Sequence, residues 1–290
     1  MNEKAININR RRFLNILVGT SAILALGPVR KAGAQPKQYG KLVDTIRCIG
    51  CKRCMSACKR WNGLKVERNE MVTDRFTELS GNNFVVVNLR TDSHNTEHQV
   101  YHHWACQHCD KPACMGACPV RAISKLPGGH VVINEKKCIG CRYCYQSCPW
   151  KVPQFDFKKR VTRKCTLCYD KFPTNYAKPA CVAACPVRAL VFDYKEVVLR
   201  EAERRIERRK MPSYIMGLKE AGGTGVITIL PTRPRNLGFV VAPDKAVNQD
   251  LDKLRITGAG LMGASTLAGG AYTYAALTQD KNKENDASNE

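Results

Sequence analysis

Sixteen cysteines constrain this 290-residue chain more than any other feature, because all of them fall into four quartets. The first, Cys48, Cys51, Cys54 and Cys58, and the third, Cys138, Cys141, Cys144 and Cys148, share the spacing C-x2-C-x2-C-x3-C. The second is Cys106, Cys109, Cys114 and Cys118, spaced C-x2-C-x4-C-x3-C. The fourth is Cys165, Cys168, Cys181 and Cys185, spaced C-x2-C-x12-C-x3-C. No cysteine is left over. A chain of this kind has to fold around whatever its thiols hold.

The C-x2-C-x2-C-x3-C run followed by Pro is a spacing that ligates [4Fe–4S] clusters. Three thiolates on a tight loop can converge on three irons of one cube, with Ile49-Gly50 and Ile139-Gly140 as small spacers. The fourth iron takes a thiolate from elsewhere in the chain. Pro119, Pro149 and Pro186 follow the last cysteine of their quartets, fixing φ and removing an N–H. Cys58 departs from this pattern, since Lys59 follows it. Structural zinc suits paired C-x2-C motifs but does not call for three cysteines at steps of three, twice over. Disulfides suit an even count in an exported chain, yet cysteines three apart on one turn are poorly placed to reach separate partners. A [3Fe–4S] cluster would show a missing ligand, and none is missing. The sixteen thiols are therefore candidate iron ligands for four [4Fe–4S] clusters, and no catalytic set stands beside them.

The chain also repeats itself. Cys48-Ile-Gly-Cys-Lys-Arg-Cys54 mirrors Cys138-Ile-Gly-Cys-Arg-Tyr-Cys144, and Lys111-Pro-Ala-Cys mirrors Lys178-Pro-Ala-Cys, each leading to Ala-Cys-Pro-Val-Arg-Ala. The second and third quartets lie close together, in the proportion of one two-cluster ferredoxin, so the first and fourth pair around them. Exchange of fourth ligands within each pair then gives four expected sets. They are Cys48, Cys51, Cys54 with Cys185; Cys165, Cys168, Cys181 with Cys58; Cys106, Cys109, Cys114 with Cys148; and Cys138, Cys141, Cys144 with Cys118.

Apolar alternation predicts strands at Phe84–Leu89, Val100–His103 and His130–Asn134, with Val187–Leu190 turning toward another. The expected fold is α+β: two interleaved two-cluster ferredoxin-like modules with long loops, plus one C-terminal transmembrane helix. Residues 35–105 form the first half of the outer module and its linking strands, 106–160 the inner module, and 161–193 the second half of the outer one. Residues 194–255 form a helix, a strand and an extended tail, in which Tyr194–Lys210 is a solvated or subunit-facing helix. That helix carries Val197, Val198, Ala202 and Ile206 on one side, with Glu196–Arg200 and Glu201–Arg205 spaced for i,i+4 support.

The two ends suggest export and anchoring. Residues 1–34 resemble a twin-arginine signal, with Arg10-Arg11, then Phe13-Leu14, an apolar run and Ala32-Gly33-Ala34 before the cut. Export in the folded state would let clusters be built in the cytoplasm first. Ile256–Leu277 is uncharged and would reach roughly 33 Å as a helix at about 1.5 Å per residue, enough to cross a bilayer core. Its glycines and alanines suit close approach to another membrane helix. A polar tail, 278–290, follows, and would face the cytoplasm.

The formal charge of +22 invites a nucleic-acid reading. Residues 1–34 hold six bases and one acid, and four clusters at about −2 each would leave a mature protein near +9. An exported protein meets little nucleic acid, so none is expected as a partner. His102, His103 and His108 read as packing or hydrogen-bonding residues, and Trp104 and Trp150 as shields beside the loops.

With these motifs together, the chain resembles the four-cluster β subunits of membrane-bound bacterial oxidoreductases, such as those of periplasmic formate dehydrogenases and uptake [NiFe] hydrogenases. Arg163-Lys-Cys-Thr-Leu-Cys-Tyr169, Pro179-Ala-Cys through Cys185-Pro186, and the stretch from Tyr214 through Gly222-Gly-Thr-Gly-Val226 to a strand at Ile227–Leu230 carry the resemblance. The resemblance implies an electron relay on the periplasmic side of the inner membrane. Its partners would be a larger periplasmic catalytic subunit and an integral membrane, quinone-reactive subunit. A chain-borne export signal leans toward the hydrogenase type. The alternatives are a molybdopterin reductase subunit, acting with polysulfide, thiosulfate or similar, and a self-contained iron–sulfur enzyme or redox sensor.

Overall fold

The computed structural model describes residues 37–66, 76–96, 99–171, 178–211 and 213–246, all within the compact unit Lys37–Glu290. The expected export signal and the candidate membrane segment Ile256–Leu277 lie outside the described residues. Among those described, no helix is long and apolar enough to cross a membrane. In chain order the strands are β1 Tyr39–Asp44, β2 Val86–Thr91, β3 Gln99–Trp104, β4 Ile123–Lys125, β5 Val131–Ile133, β6 Gln154–Asp156, β7 Val161–Arg163, β8 Leu190–Tyr194, β9 Tyr214–Met216 and β10 Val226–Leu230. The α-helices are α1 Arg53–Trp61, α2 Ala113–Gly116, α3 Tyr143–Ser147, α4 Ala180–Ala183 and α5 Lys195–Arg209. This is the α+β content expected.

Val226-Ile-Thr-Ile-Leu230 is buried at all five positions, the signature of a strand covered on both faces. It lies inside a four-stranded sheet of order β8-β1-β10-β9. β1 runs parallel to β10, with Lys41 opposite Val226 and Asp44 opposite Ile229, and antiparallel to β8. The strand expected in the tail is therefore central to the sheet, paired with a strand from the other end of the described chain.

Strand parity sorts the two faces. Leu42, Ile227 and Ile229 meet Val198 and Ala202 of α5 in a small aliphatic core. Val43, Val226, Leu230 and Met216 join the larger core that contains the cysteines. Lys41 shares the parity of Val43 and so belongs to the cysteine side. α5 covers the Leu42 face of the sheet with Val198, Ala202 and Arg205 buried, and its remaining residues stay at the surface. The partner strand lies too far along the sequence for the helix's own pattern to reveal it. Gly40 permits the close approach, since a Cβ there would sit 3.0 Å from the Lys195 Cα. Charge ties the layers together: Arg205 and Arg209 donate to the fully buried Asp44 carboxylate at 2.9 and 2.6 Å. Glu201 pairs with Arg205 at 2.7 Å, as its spacing predicts.

Three antiparallel hairpins, β2–β3, β4–β5 and β6–β7, complete the described framework. β2 starts two residues later than expected, because Phe84 and Val85 follow a turn closed by the Ser80–Asn83 bridge.

Candidate metal centres

Each C-x2-C turn is built the same way. The residue before its second cysteine is left-handed in all four: Gly50 at φ 68, His108 at φ 47, Gly140 at φ 73 and Leu167 at φ 57. Such a turn points successive N–H groups into one concavity, a shape that favours anions. Glycine appears at two of the four. There, a Cβ would strike the Tyr101 ring at 2.5 Å or the Arg160 carbonyl oxygen at 2.6 Å.

The other cysteines ride on short helices. Lys52 and Arg142, both left-handed, precede α1 and α3, which carry Cys54 with Cys58, and Cys144. Cys114 lies on α2 and Cys181 on α4. Beyond Cys118, Cys148 and Cys185, Pro is followed two residues later by a left-handed base: Arg121, Lys151 and Arg188. The turn delivers the Ala122 N–H to Cys118 Sγ and the Ala189 N–H to Cys185 Sγ, both at 3.2 Å. Cys138 and Cys165 accept the N–H groups of Thr162 and Leu167 at 3.4 Å. Lys59 changes the first quartet: without proline, α1 runs past Cys58 to Trp61, whereas α3 stops at Ser147 before Cys148-Pro149.

The cysteines gather across quartets. Cys48, Cys51, Cys54 and Cys185 line one cavity, and His103 also faces it. Cys118, Cys138, Cys141 and Cys144 line a second. Burial pushes the Cys58 thiol well up, and Cys165, Cys181 and Cys168 push it further. Burial raises Cys109 to about 12, with Cys106 and Cys148 among its neighbours. Burial likewise raises Cys114, against Lys164 and with Cys106, Cys148 and Cys109. The two cavity-lining groupings hold the same cysteines as two of the expected sets. Cys54 also feels Cys181, so the two outer sets adjoin where α1 packs on α4. α2 and α3 pack likewise in the inner module.

The donor geometry fits a polynuclear group. Among the described residues, no three His, Cys, Asp or Glu side chains close on a point suited to one metal ion. Two of the sets instead surround cavities. A second sign is Lys41, wholly buried, whose Nζ has no hydrogen-bond partner among the described residues. Its ammonium favours the Cys58 and Cys181 thiolates, so negative charge there would compensate it. A thiolate-ligated cluster supplies that charge.

Lys164 is the other buried cation of this region. Its Nζ donates to the carbonyls of Val131 and, at 3.1 Å, Cys165. Burial alone would lower its pKa, but Cys106, Cys114 and Cys165 outweigh that and the net direction is up. Sequence reasoning missed both lysines. Lys164 had a signal in its place beside Cys165; Lys41 had none, because β1 was not foreseen.

The histidines serve structure. His108 accepts the Val131 N–H on Nδ1 at 3.0 Å, and burial holds its pKa well below the usual range, so it is a neutral imidazole. Burial takes His102 down to about 3. Trp150 is buried and meets Trp104 edge-on, with centroids 5.8 Å apart.

Known proteins share this pattern. Two family models, each described as a 4Fe-4S dicluster domain, match residues 98–195 and 47–122. The nitrate-inducible formate dehydrogenase iron-sulfur subunit of Escherichia coli K12 is 32% identical over 222 residues, covering 74% of this chain and 75% of that one. A component of the anaerobic dimethyl sulfoxide reductase of Haemophilus influenzae is 41% identical over 158 residues, 54% of this chain and 74% of that one. A protein of Nitratidesulfovibrio vulgaris is 35% identical over 234 residues, 75% of this chain, though the match spans only 63% of that relative. The chain belongs to the family of ferredoxin-like electron-transfer subunits with [4Fe–4S] dicluster domains.

Proposed function

We propose that this chain is a four-cluster electron relay within a membrane-bound oxidoreductase, connecting a periplasmic catalytic subunit with the quinone pool. The observation that carries it is that cysteines from different quartets line shared cavities, Cys48, Cys51 and Cys54 with Cys185, and Cys118 with Cys138, Cys141 and Cys144. A [4Fe–4S] cluster in each set supplies one-electron storage. The protein's own residues supply the rest. Left-handed turns aim N–H groups at sulfur, and burial excludes water.

The inner set that includes Cys118 lies nearest solvent. Cys141 is exposed, and Ile139, Tyr143 and Phe157 around it are 63%, 59% and 77% exposed. That apolar surface suits a protein partner able to exchange electrons at this end. The likeness to formate dehydrogenase subunits supports a formate-dehydrogenase-type catalytic partner, and hydrogenase is the other candidate from the sequence. The likeness to the dimethyl sulfoxide reductase component supports the second reading, a molybdopterin reductase subunit.

Export through the twin-arginine signal and anchoring by Ile256–Leu277 complete the proposal. Isolation of the native complex from membranes under anaerobic conditions tests it. Co-purification with a larger metal-containing subunit, with about sixteen irons on this chain, is the expected outcome. A soluble, iron-poor chain recovered alone would overturn it.

A further inference from the structure

Two buried lysines lie beside the middle sets, Lys41 beside one of them and Lys164 between both. Lys41 leaves β1 on the face away from α5, and its Nζ finds no hydrogen-bond partner among the described residues. Its thiol neighbours are Cys58 and Cys181, both in one set. Lys164 spans the two modules. Its ammonium holds the Val131 carbonyl on β5 of the inner module and the Cys165 carbonyl of the outer one. It is 4% exposed, and its charge acts on Cys106 and Cys114 on one side and Cys165 on the other.

A buried ammonium keeps its effect on nearby charge, because water does not screen it. Charge beside a cluster is one of the levers that set its potential. We infer that Lys41 and Lys164 are positioning residues that raise the reduction potentials of the two middle clusters. Lys41 acts on the cluster of Cys58, Cys165, Cys168 and Cys181. Lys164 acts on that cluster and on its neighbour at Cys106, Cys109, Cys114 and Cys148. One electron enters and later leaves each site, and no bond is made or broken. The inference rests on the four-cluster reading above.

Redox-poised EPR of the anaerobically purified full chain, with iron counted in every sample, tests it. Lys164→Gln should move two of the four midpoints to lower potential, each by about tenfold in the reduction equilibrium or about 59 mV for one electron. Lys41→Gln should move one midpoint by a similar amount, and that one should be among the two. A change in packing alone would not produce this nested selectivity. Should one variant lose iron, the other decides alone. Midpoints that stay in place, or four that move together, overturn the inference, and so does loss of iron from both variants, which would make the lysines assembly residues. A parent chain far below about sixteen irons would instead sink the four-cluster reading itself.

Discussion

A left-handed residue before the second cysteine recurs in all four turns, yet glycine occupies it only twice. His108 and Leu167 accept the strain because their side chains are used: His108 caps the Val131 N–H, and Leu167 is 2% exposed in the main core. The left-handed conformation costs a non-glycine residue about 1–2 kcal/mol. Gly140→Ala would add a clash with a backbone carbonyl, whereas the atoms nearest a Gly50→Ala Cβ belong to the Tyr101 ring. Gly140→Ala should therefore lower the urea midpoint and the iron content more than Gly50→Ala does, in parallel unfolding curves with iron assay. The exchange of fourth ligands is also testable here. Cys148→Ser should perturb the cluster at Cys106, Cys109 and Cys114 and spare that at Cys138, Cys141 and Cys144, as EPR of the variant would show. Spacing alone singles out all sixteen candidate residues, since ligand chemistry fixes both residue type and interval. The buried lysines were not legible, because a lysine's place in the core depends on strand parity in an unforeseen strand.

Elements differ where one residue differs. An alignment of the internal repeats would suggest Lys59→Pro, giving the first quartet the proline of the others. The structure argues the reverse. α1 continues through Lys59, the Leu64 N–H bonds the Lys59 carbonyl at 2.9 Å, and Asn62 Nδ2 donates to the Cys58 carbonyl at 2.7 Å. Proline inside a helix removes a hydrogen bond and clashes with the preceding turn, costing about 3 kcal/mol or more. Lys59→Pro should thus destabilise the holoprotein by that order in urea unfolding; an unchanged or higher midpoint would contradict the account. Strands with clear alternation, such as Gln99–Trp104 and Val131–Ile133, were legible within a residue or two. Tyr39–Asp44 was not. Its Gly40, Lys41 and Asp44 break the apolar alternation, and each is explained by what packs there: the Lys195 backbone, the thiols, and the arginines of α5.

Across the whole molecule, two kinds of interior divide the work. The sheet and α5 share an aliphatic core of Leu42, Val198, Ala202, Ile227 and Ile229, each fully buried, with the Asp44 ion pairs at its edge. The inner module's separate cluster is smaller: Ile123 and Val131 pack with Cys114 and Cys144, flanked by Cys118 and Ile133, while its Trp150 and Val152 join the main core. No sequence pattern announces this division, since the parallel pairing of β1 with β10 joins segments separated by most of the chain. Loop closure of that length carries no local signal. The division predicts how the protein responds to loss of iron. Without clusters, the inner module would keep buried thiols with little aliphatic core to offset their desolvation. Chelation of iron under reducing conditions should therefore remove amide protection across residues 106–148 first. β1, β10 and α5 should keep theirs, because one face of the sheet packs on α5 through carbon alone. Hydrogen exchange followed by mass spectrometry reads both regions in one experiment. Protection lost equally from the sheet and the inner module would show that the clusters hold the entire fold, and the aliphatic face would then be too small to stand alone.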